Sequence, residues 1–280
     1  MKKISRRSFL AAAGLSVAAL ALTACGGSAS STASSVASSA AASSEAASTS
    51  AVAGELTTVE AGKLTMATNA TFPPYEMTTD AGEFEGIDIE TAQAIADKLG
   101  LELQIDDMDF DAALLSVQQG KADIVMAGVT VTDERKAVMD FSDSYATGIQ
   151  SIIVPEGSDI ASPDDLAGKK IGTQRGTTGY IYCTDDFGED AVVAYDSGLT
   201  AVQALNNGQV DAVVIDNAPA QEFIAANPGL KILDTSYAEE DYAIGMAKGS
   251  SLEDAVNAAL EELKADGTLQ SIVDKYITAE

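Results

Sequence analysis

The chain has 280 residues, of which 43 are Asp or Glu and 16 are Lys or Arg, so its formal net charge at pH 7 is −27. A surface this negative repels phosphate groups, which excludes nucleic acid as a partner and disfavours charge-driven binding to anionic lipids. Histidine is absent, which removes the commonest general base and the commonest transition-metal ligand. We therefore expect no catalytic residues, no metal site and no cofactor.

The N-terminal segment has the pattern of an export signal, predicted over residues 1–24. Basic residues at positions 2, 3, 6 and 7 precede an apolar run that ends in Leu22-Thr23-Ala24-Cys25, which is typical of a lipobox. Cleavage before Cys25 would let this cysteine carry two or more acyl chains, enough for stable anchoring in a membrane. An uncleaved transmembrane helix is the alternative, although the apolar run is short for a span. The paired arginines leave the export route, Sec or Tat, open.

Residues 25–56 are predicted to form a tether. Most of them are Ser, Ala, Thr and Gly, which leaves too few large side chains to bury a hydrophobic core. We expect this segment to hold a folded part, beginning near residue 57, close to the membrane but off its surface.

The folded part repeats one pattern of alternating strands and helices. In the first half, the predicted elements are a strand at 63–67, a helix through 92–99, a strand at 101–105, a helix at 111–119 and a strand at 123–127. In the second half, they are a strand at 169–172, a helix at 179–185, a strand at 191–195, a helix at 199–207 and a strand at 211–215. Strands joined by helices at this spacing predict an α/β fold with two parallel sheets of the same topology. An amphipathic helix capped by Ser251 and a short helix after Gly267 are predicted to close the chain.

Candidate ligand-binding residues follow equivalent strands in the two halves. Gly128 comes after the strand at 123–127 and Asp216 after the strand at 211–215, while Asn69 and Gln174 follow the first strand of each half. Ligands bind beyond the carboxyl ends of parallel strands. Two sheets that face each other across a cleft would therefore bring all four residues together.

The loop after the strand at 123–127 has the composition of a site for a zwitterion. It offers a glycine carbonyl, the Thr130 hydroxyl and Arg135, which is the third residue of a short helix capped by Thr132. A guanidinium can bind both oxygens of a carboxylate at once. The alternative is a strand, a turn and a capped helix whose arginine is solvated.

Six segments carry a resemblance to one family: ATNATFPPYE at 67–76, GIDIE at 86–90, MDF at 108–110, AGVTVTDER at 127–135 with DFSD at 140–143, GTT at 176–178, and DAVVID at 211–216. Together they resemble the amino-acid-binding proteins of ABC importers, solute-binding protein family 3, over roughly residues 60–278. The order of the motifs makes the resemblance specific, since each motif alone would be weak.

The resemblance implies a two-lobed periplasmic-binding-protein type II fold, with two parallel-type sheets joined by a two-strand hinge. Residues 57–147 and 244–280 would form lobe 1, because the C-terminal helices would pack back on it, and residues 148–243 would form lobe 2. The chain would then cross between the lobes near residues 145–149 and 241–245. Gly148 and Gly245 in these crossings either absorb backbone rotation or are ordinary turn glycines.

The resemblance also implies a set of contacts with a free amino acid. The expected ligand-binding residues are Asn69, Phe72, Phe110, Gly128, Val129, Thr130, Arg135, Gln174, Thr177, Thr178 and Asp216. Arg135 would bind the ligand carboxylate, with backbone amides near Thr177 and Thr178 as further donors. The alternative for this glycine-rich segment, 176–179, is a plain turn.

Asp216 would bind the ligand ammonium, with the Gly128 carbonyl and the Thr130 hydroxyl as neutral acceptors. The alternative is that Asp216 caps the helix that follows it, and both roles can coexist.

Two aromatic rings and two amides would surround the ligand side chain. Phe72 and Phe110 would grip it, although buried core phenylalanines are the alternative. Asn69 and Gln174 would contact its polar groups. Some members of the family that bind basic side chains have aspartate where this chain has Asn69, which counts against a cationic ligand without excluding it.

These features predict an extracytoplasmic, lipid-anchored receptor, expected to act as a monomer, that binds a polar L-amino acid and delivers it to an ABC permease. An amino-acid-forming dehydratase on the same fold is the alternative from another class, but the sequence offers no nucleophile with an evident base. A ligand-sensing ectodomain is a third possibility, which would normally continue into a transmembrane helix and a signalling module.

Overall fold

The computed structural model describes residues 56–277, so the predicted leader, Cys25 and all but the last residue of the tether lie outside the described part. Its strands are β1 (Lys63–Thr68), β2 (Thr71–Phe72), β3 (Glu76–Thr78), β4 (Phe84–Glu85), β5 (Glu102–Asp107), β6 (Ile124–Val125), β7 (Met139–Phe141), β8 (Ala146–Pro155), β9 (Ile171–Gln174), β10 (Val192–Tyr195), β11 (Ala212–Asp216), β12 (Leu230–Ile232), β13 (Ala238–Tyr242) and β14 (Gly245–Ala247). Its α-helices are α1 (Ile87–Leu99), α2 (Phe110–Gln118), α3 (Asp133–Lys136), α4 (Thr178–Phe187), α5 (Gly198–Asn206), α6 (Asn217–Ala226), α7 (Glu253–Ala265) and α8 (Thr268–Tyr276). None of these helices is both long and apolar enough to cross a membrane.

The first sheet combines the predicted strands of the first half with two strands from outside the repeat. Its order is β5, β1, β6, β14 and β7, in which β5, β1 and β6 run parallel and β14 is antiparallel to both of its neighbours. Helices α1 and α2 pack against this sheet, and α7 and α8 pack against α1. The apolar residues of α1 recur at helical spacing, so they bury one face of that helix. A small antiparallel sheet of β2, β3 and β4 precedes α1.

The second sheet has the same parallel part with a different antiparallel addition. Its order is β10, β9, β11, β8 and β12, and β13 also pairs with β8. Strands β10, β9 and β11 are parallel, whereas β8 is antiparallel to β11, β12 and β13. Both sheets are therefore mixed. The predicted repeat supplies their parallel strands, and segments outside the repeat add antiparallel strands, which need no crossover helix.

Most predicted boundaries lie within two residues of those in the structure, and two of the differences have a clear physical cause. The strand predicted at 123–127 is reduced to β6, because the backbone leaves the sheet before Gly128, which has a φ of +55°. Helix α7 has Leu252 at its cap position, so Ser251 is not the cap. Leu252 is buried in the core and its N–H donates to Ser250 Oγ at 3.2 Å. Burial of an apolar side chain thus decides where this helix begins.

The chain passes between the two sheets twice, once between β7 and β8 and again between β13 and β14. Gly148 lies within β8 and Gly245 within β14, so neither is a turn glycine. A Cβ at Gly148 would lie 2.4 Å from Cε1 of Tyr242, and one at Gly245 would lie 2.7 Å from Cγ1 of Val125. Glycine is therefore needed at both positions because neighbouring side chains approach the backbone closely.

Candidate functional site

A narrow cavity lies between the two sheets, where β1, β6, β9 and β11 end. Every predicted ligand-binding residue except Val129 lines this cavity, together with Glu76, Ala127, Gln150, Val214 and Ile215. Val129 lies between two lining residues, but its side chain is fully buried in the hydrophobic cluster around α2. Its carbonyl accepts a hydrogen bond from the Ala243 N–H at 3.1 Å. The Val129 side chain is therefore part of the core, and its contact with a ligand stays a prediction.

Arg135 is buried at the cavity wall rather than solvated, with 8% of its surface exposed. Thr132 caps α3 as predicted, because its Oγ1 accepts the N–H of Arg135 at 3.1 Å. The guanidinium donates from Nη1 to the Thr130 carbonyl at 2.8 Å and from Nη2 to the Gly176 carbonyl, on the side of the second sheet, at 3.2 Å. It also lies 5.4 Å from the centre of the Phe110 ring. Burial lowers the pKa of Arg135, but a guanidinium stays charged near neutral pH.

Asp216 faces the cavity from the end of β11. It occupies the cap position of α6, but its side chain does not bond to an N–H of that helix. Instead Oδ1 accepts a hydrogen bond from the Tyr242 hydroxyl, and Oδ2 accepts one from Gln150 Nε2 at 2.7 Å. Burial raises the pKa of Asp216 to about 7. Tyr242 and Gln150 therefore hold the Asp216 side chain, which does not cap α6.

The two predicted amides bond to each other across the cavity. Gln174 Nε2 donates to Asn69 Oδ1 at 2.8 Å, and Asn69 Nδ2 donates to the Met108 carbonyl at 2.8 Å. This pair links the first sheet to the second. Phe72 and Phe110 are both buried, as core residues would be, and both also line the cavity. Their burial is therefore compatible with the predicted contact with a ligand side chain.

The glycine-rich segment at 176–179 forms the start of α4 and is not a plain turn. Thr177 is its cap, since its Oγ1 accepts the N–H of Tyr180 at 3.3 Å. The first turn of α4 therefore presents its positive end, with Thr177 and Thr178, to the cavity. Such a helix end favours an anionic group of a ligand.

Glu240, on β13, was not predicted and connects both sides of the cleft. Its Oε2 accepts hydrogen bonds from Thr130 Oγ1 at 3.1 Å, from Thr178 Oγ1 at 2.9 Å and from Gln150 Nε2 at 3.0 Å. Both hydroxyls thus donate to Glu240 and keep their lone pairs for other partners. In the sequence, Glu240 stands in an acidic run, 239–241, that resembles a solvated surface. Its burial depends on the pairing of β13 with β8.

Two further carboxyl groups near the cavity were missed. Glu76 lines the cavity with a fully buried side chain, and Asp88 is fully buried behind the loop at Gly128. Asp88 Oδ2 accepts the Gly128 N–H at 3.0 Å, and Oδ1 accepts the Tyr145 hydroxyl at 2.7 Å. Both acids stand in segments that carry the family resemblance, yet the sequence assigned them no role.

Known proteins resemble this chain in both sequence and structure. A family model described as bacterial extracellular solute-binding proteins, family 3, matches residues 64–279. The L-cystine-binding protein TcyJ of Escherichia coli K12 is 33% identical over 226 residues, which cover 79% of this chain and 85% of that protein. An ancestral arginine-binding protein bound to glutamine is 42% identical, with a TM-score of 0.74 and coverage of 78% of this chain and 99% of that one.

A further structure is AbpA from Streptococcus pneumoniae, an amino acid ABC transporter substrate-binding protein bound to L-arginine. It is 37% identical, with a TM-score of 0.73 and coverage of 77% of this chain and 94% of that one. These structural similarities confirm the two-lobed periplasmic-binding-protein fold that the sequence predicts.

Proposed function

The chain belongs to the bacterial extracellular solute-binding proteins of family 3, and on this premise we propose that it is a receptor for a free polar L-amino acid. The ligand binds in the cavity between the two sheets and is delivered to the permease of an ABC importer. Relatives with this fold bind cystine, arginine or glutamine according to their names. The chain is a binding protein and not an enzyme, so the dehydratase alternative is set aside.

One observation carries the proposal: a buried cation and a buried carboxyl group face the same cavity without bonding to each other. Arg135 donates to two backbone carbonyls, and Asp216 accepts from Tyr242 and Gln150. Buried charges are costly unless they are paired. A zwitterion supplies both missing partners, with its carboxylate at Arg135 and the first turn of α4, and its ammonium at Asp216.

Closure around the ligand follows from contacts that already join the two sides of the cleft. Arg135 bonds to Gly176, and Gln174 bonds to Asn69. We propose that residues 57–147 with 244–280 and residues 148–243 move as two lobes about the crossing strands. A ligand that contacts both lobes favours the closed state, because it gains more contacts there. The closed state then gives the permease a shape that it can distinguish.

Calorimetric titration of the purified protein with the twenty common amino acids tests this function. We expect at least one polar amino acid to bind with one site per chain and with micromolar or tighter affinity, about −8 kcal/mol. Binding of none of them would contradict the proposal.

We also propose that residues 1–24 are an export signal and that Cys25 carries the lipid that anchors the protein outside the cytoplasm. The Cys25→Ser variant is expected to move from the membrane to the soluble fraction, because a hydroxyl does not replace the thiol in lipidation and the negative surface does not bind anionic lipids. Fractionation and the mass of the product measure this outcome. Cys183→Ala, which alters the other cysteine, should stay with the membrane. A Cys25→Ser product that is cleaved and still membrane-bound would contradict the lipobox.

A further inference from the structure

Glu240 is buried behind the ligand cavity and is not among the residues that line it. Its Oε2 accepts hydrogen bonds from three polar groups that do line the cavity. These are Thr130 Oγ1 at 3.1 Å, Thr178 Oγ1 at 2.9 Å and Gln150 Nε2 at 3.0 Å. Any effect of Glu240 on a ligand therefore passes through the three groups that it holds.

The two threonine hydroxyls are fixed as acceptors toward the ligand. A hydroxyl has a single hydrogen, and it can donate as well as accept. The hydroxyls of Thr130 and Thr178 lie 3.5 Å from each other, farther than either lies from Glu240 Oε2. Glu240 is thus the acceptor for both hydrogens. Each hydroxyl has only its lone pairs left for a further partner.

The Gln150 amide is oriented in the same way. Its Nε2 donates to Oε2 of Glu240 and, at 2.7 Å, to Oδ2 of Asp216. Because both partners are carboxyl oxygens, the amide nitrogen faces them, and both of its N–H groups are used. The other polar atom, Oε1, accepts no hydrogen bond from any residue between 56 and 277. Gln150 therefore has an acceptor, and no donor, left for a ligand.

We propose that Glu240 is a positioning residue that makes the side of the cavity at Asp216 specific for an ammonium group. It takes up the hydrogens of Thr130, Thr178 and Gln150, so that only acceptors remain for the ligand there. An α-ammonium has three N–H groups to give to these acceptors, whereas an α-hydroxyl has a single O–H and leaves buried acceptors unpaired. The inference rests on the proposed amino-acid receptor and deepens it, because Glu240 selects α-amino acids against α-hydroxy acids of the same shape.

The test compares an amino acid with its α-hydroxy analogue. The probes are the tightest-binding of the twenty common amino acids and the α-hydroxy acid with the same side chain and configuration. Both are titrated into the full chain by calorimetry, and the ratio of the two affinities is the preference for the amino acid. We expect this preference to be at least about a hundredfold in the wild-type protein, because a site built to pair with N–H groups rejects an analogue that lacks them.

Two substitutions of Glu240 separate the hydrogen bonds from the charge. Glu240→Met removes the acceptor but keeps the length of the side chain, so the freed hydrogens turn to the ligand and the preference should fall about thirtyfold. Glu240→Gln should keep the preference within about threefold, because its amide oxygen can take the place of Oε2. Glu239→Met is the matched control, since Glu239 is the exposed neighbour on β13, and it should leave the preference unchanged.

Thr130→Val keeps the test decisive if Glu240→Met does not fold, as checked by circular dichroism. It removes a hydroxyl that accepts from the ammonium, so the affinity for the amino acid should fall about tenfold and that for the α-hydroxy acid at most about twofold. Equal losses for the two probes overturn the inference, because the hydroxyl then donates to the ligand carboxylate.

An unchanged preference in Glu240→Met also overturns the inference, as does a loss in Glu240→Gln as large as that in Glu240→Met. In each of these cases the receptor function stands. Failure of every common amino acid to bind overturns the receptor function and this inference together.

Discussion

The Arg135→Lys variant is expected to bind every amino acid ligand at least about thirtyfold more weakly, a loss of roughly 2 kcal/mol or more. Lysine keeps the charge, but a single ammonium does not present two parallel N–H groups to a carboxylate. It also cannot reach the Thr130 and Gly176 carbonyls together in the geometry that the guanidinium has. Calorimetry with the preferred ligand measures the affinity, and circular dichroism checks that the fold is retained.

Arg175→Lys is the matched control, because Arg175 stands next to the same glycine-rich segment. Its side chain is 53% exposed and lies 3.8 Å from the carboxylate of Asp196. An exposed pair of this kind contributes little, so the control should bind with wild-type affinity. If Arg135→Lys loses less than about tenfold, Arg135 is not the group that binds the ligand carboxylate.

The Asp216→Asn variant is expected to bind amino acids about a hundredfold more weakly, because the ligand ammonium would be buried without its countercharge, at a cost of about 3 kcal/mol.

The affinity of the wild-type protein for a neutral amino acid should fall as the pH drops below about 7, the value to which burial raises the pKa of Asp216. Binding requires the ionised carboxylate, so it releases a proton in that range. The variant should lack this pH dependence.

The stability of the Asp216→Asn variant relative to wild type should also depend on pH, because ionisation of Asp216 favours ligand binding but destabilises the folded wild-type protein. The pKa of Asp216 is raised from 3.8 to about 7 in the folded protein, so the neutral form is favoured by folding. Its stabilising effect is complete below the unfolded pKa and is lost as the pH rises to about 7. The unfolding temperature of Asp216→Asn relative to wild type should therefore increase between pH 5 and pH 8. Glu222→Gln, exposed on α6, should show no such trend, and a flat difference for Asp216→Asn would contradict the assigned ionisation.

Most of the strands and helices follow from sequence periodicity, because each element is set by the local spacing of its apolar residues. The repeat predicts three parallel strands in each sheet and places Arg135 and Asp216 beyond two of their carboxyl ends. Once the topology is given, side chains at those strand ends lie at the cleft where ligands bind. The short β6 and the start of α7 were less predictable, since a turn glycine and a buried Leu252 act there against the local pattern.

Tertiary structure alone decides the surroundings of the buried acids. Glu76, Asp88 and Glu240 are carboxyl groups in a chain with 43 acidic residues, and nothing in their local spacing distinguishes them from the solvated majority. The sequence predicts that Asn69 and Gln174 lie at the same cleft, but only the folded structure shows that they bond to each other, across 105 positions of sequence. Burial and partner choice at these sites depend on how the two sheets and the crossing strands approach each other. An isolated segment carries no record of that approach, so the charge balance of the cavity emerges only when the chain is folded.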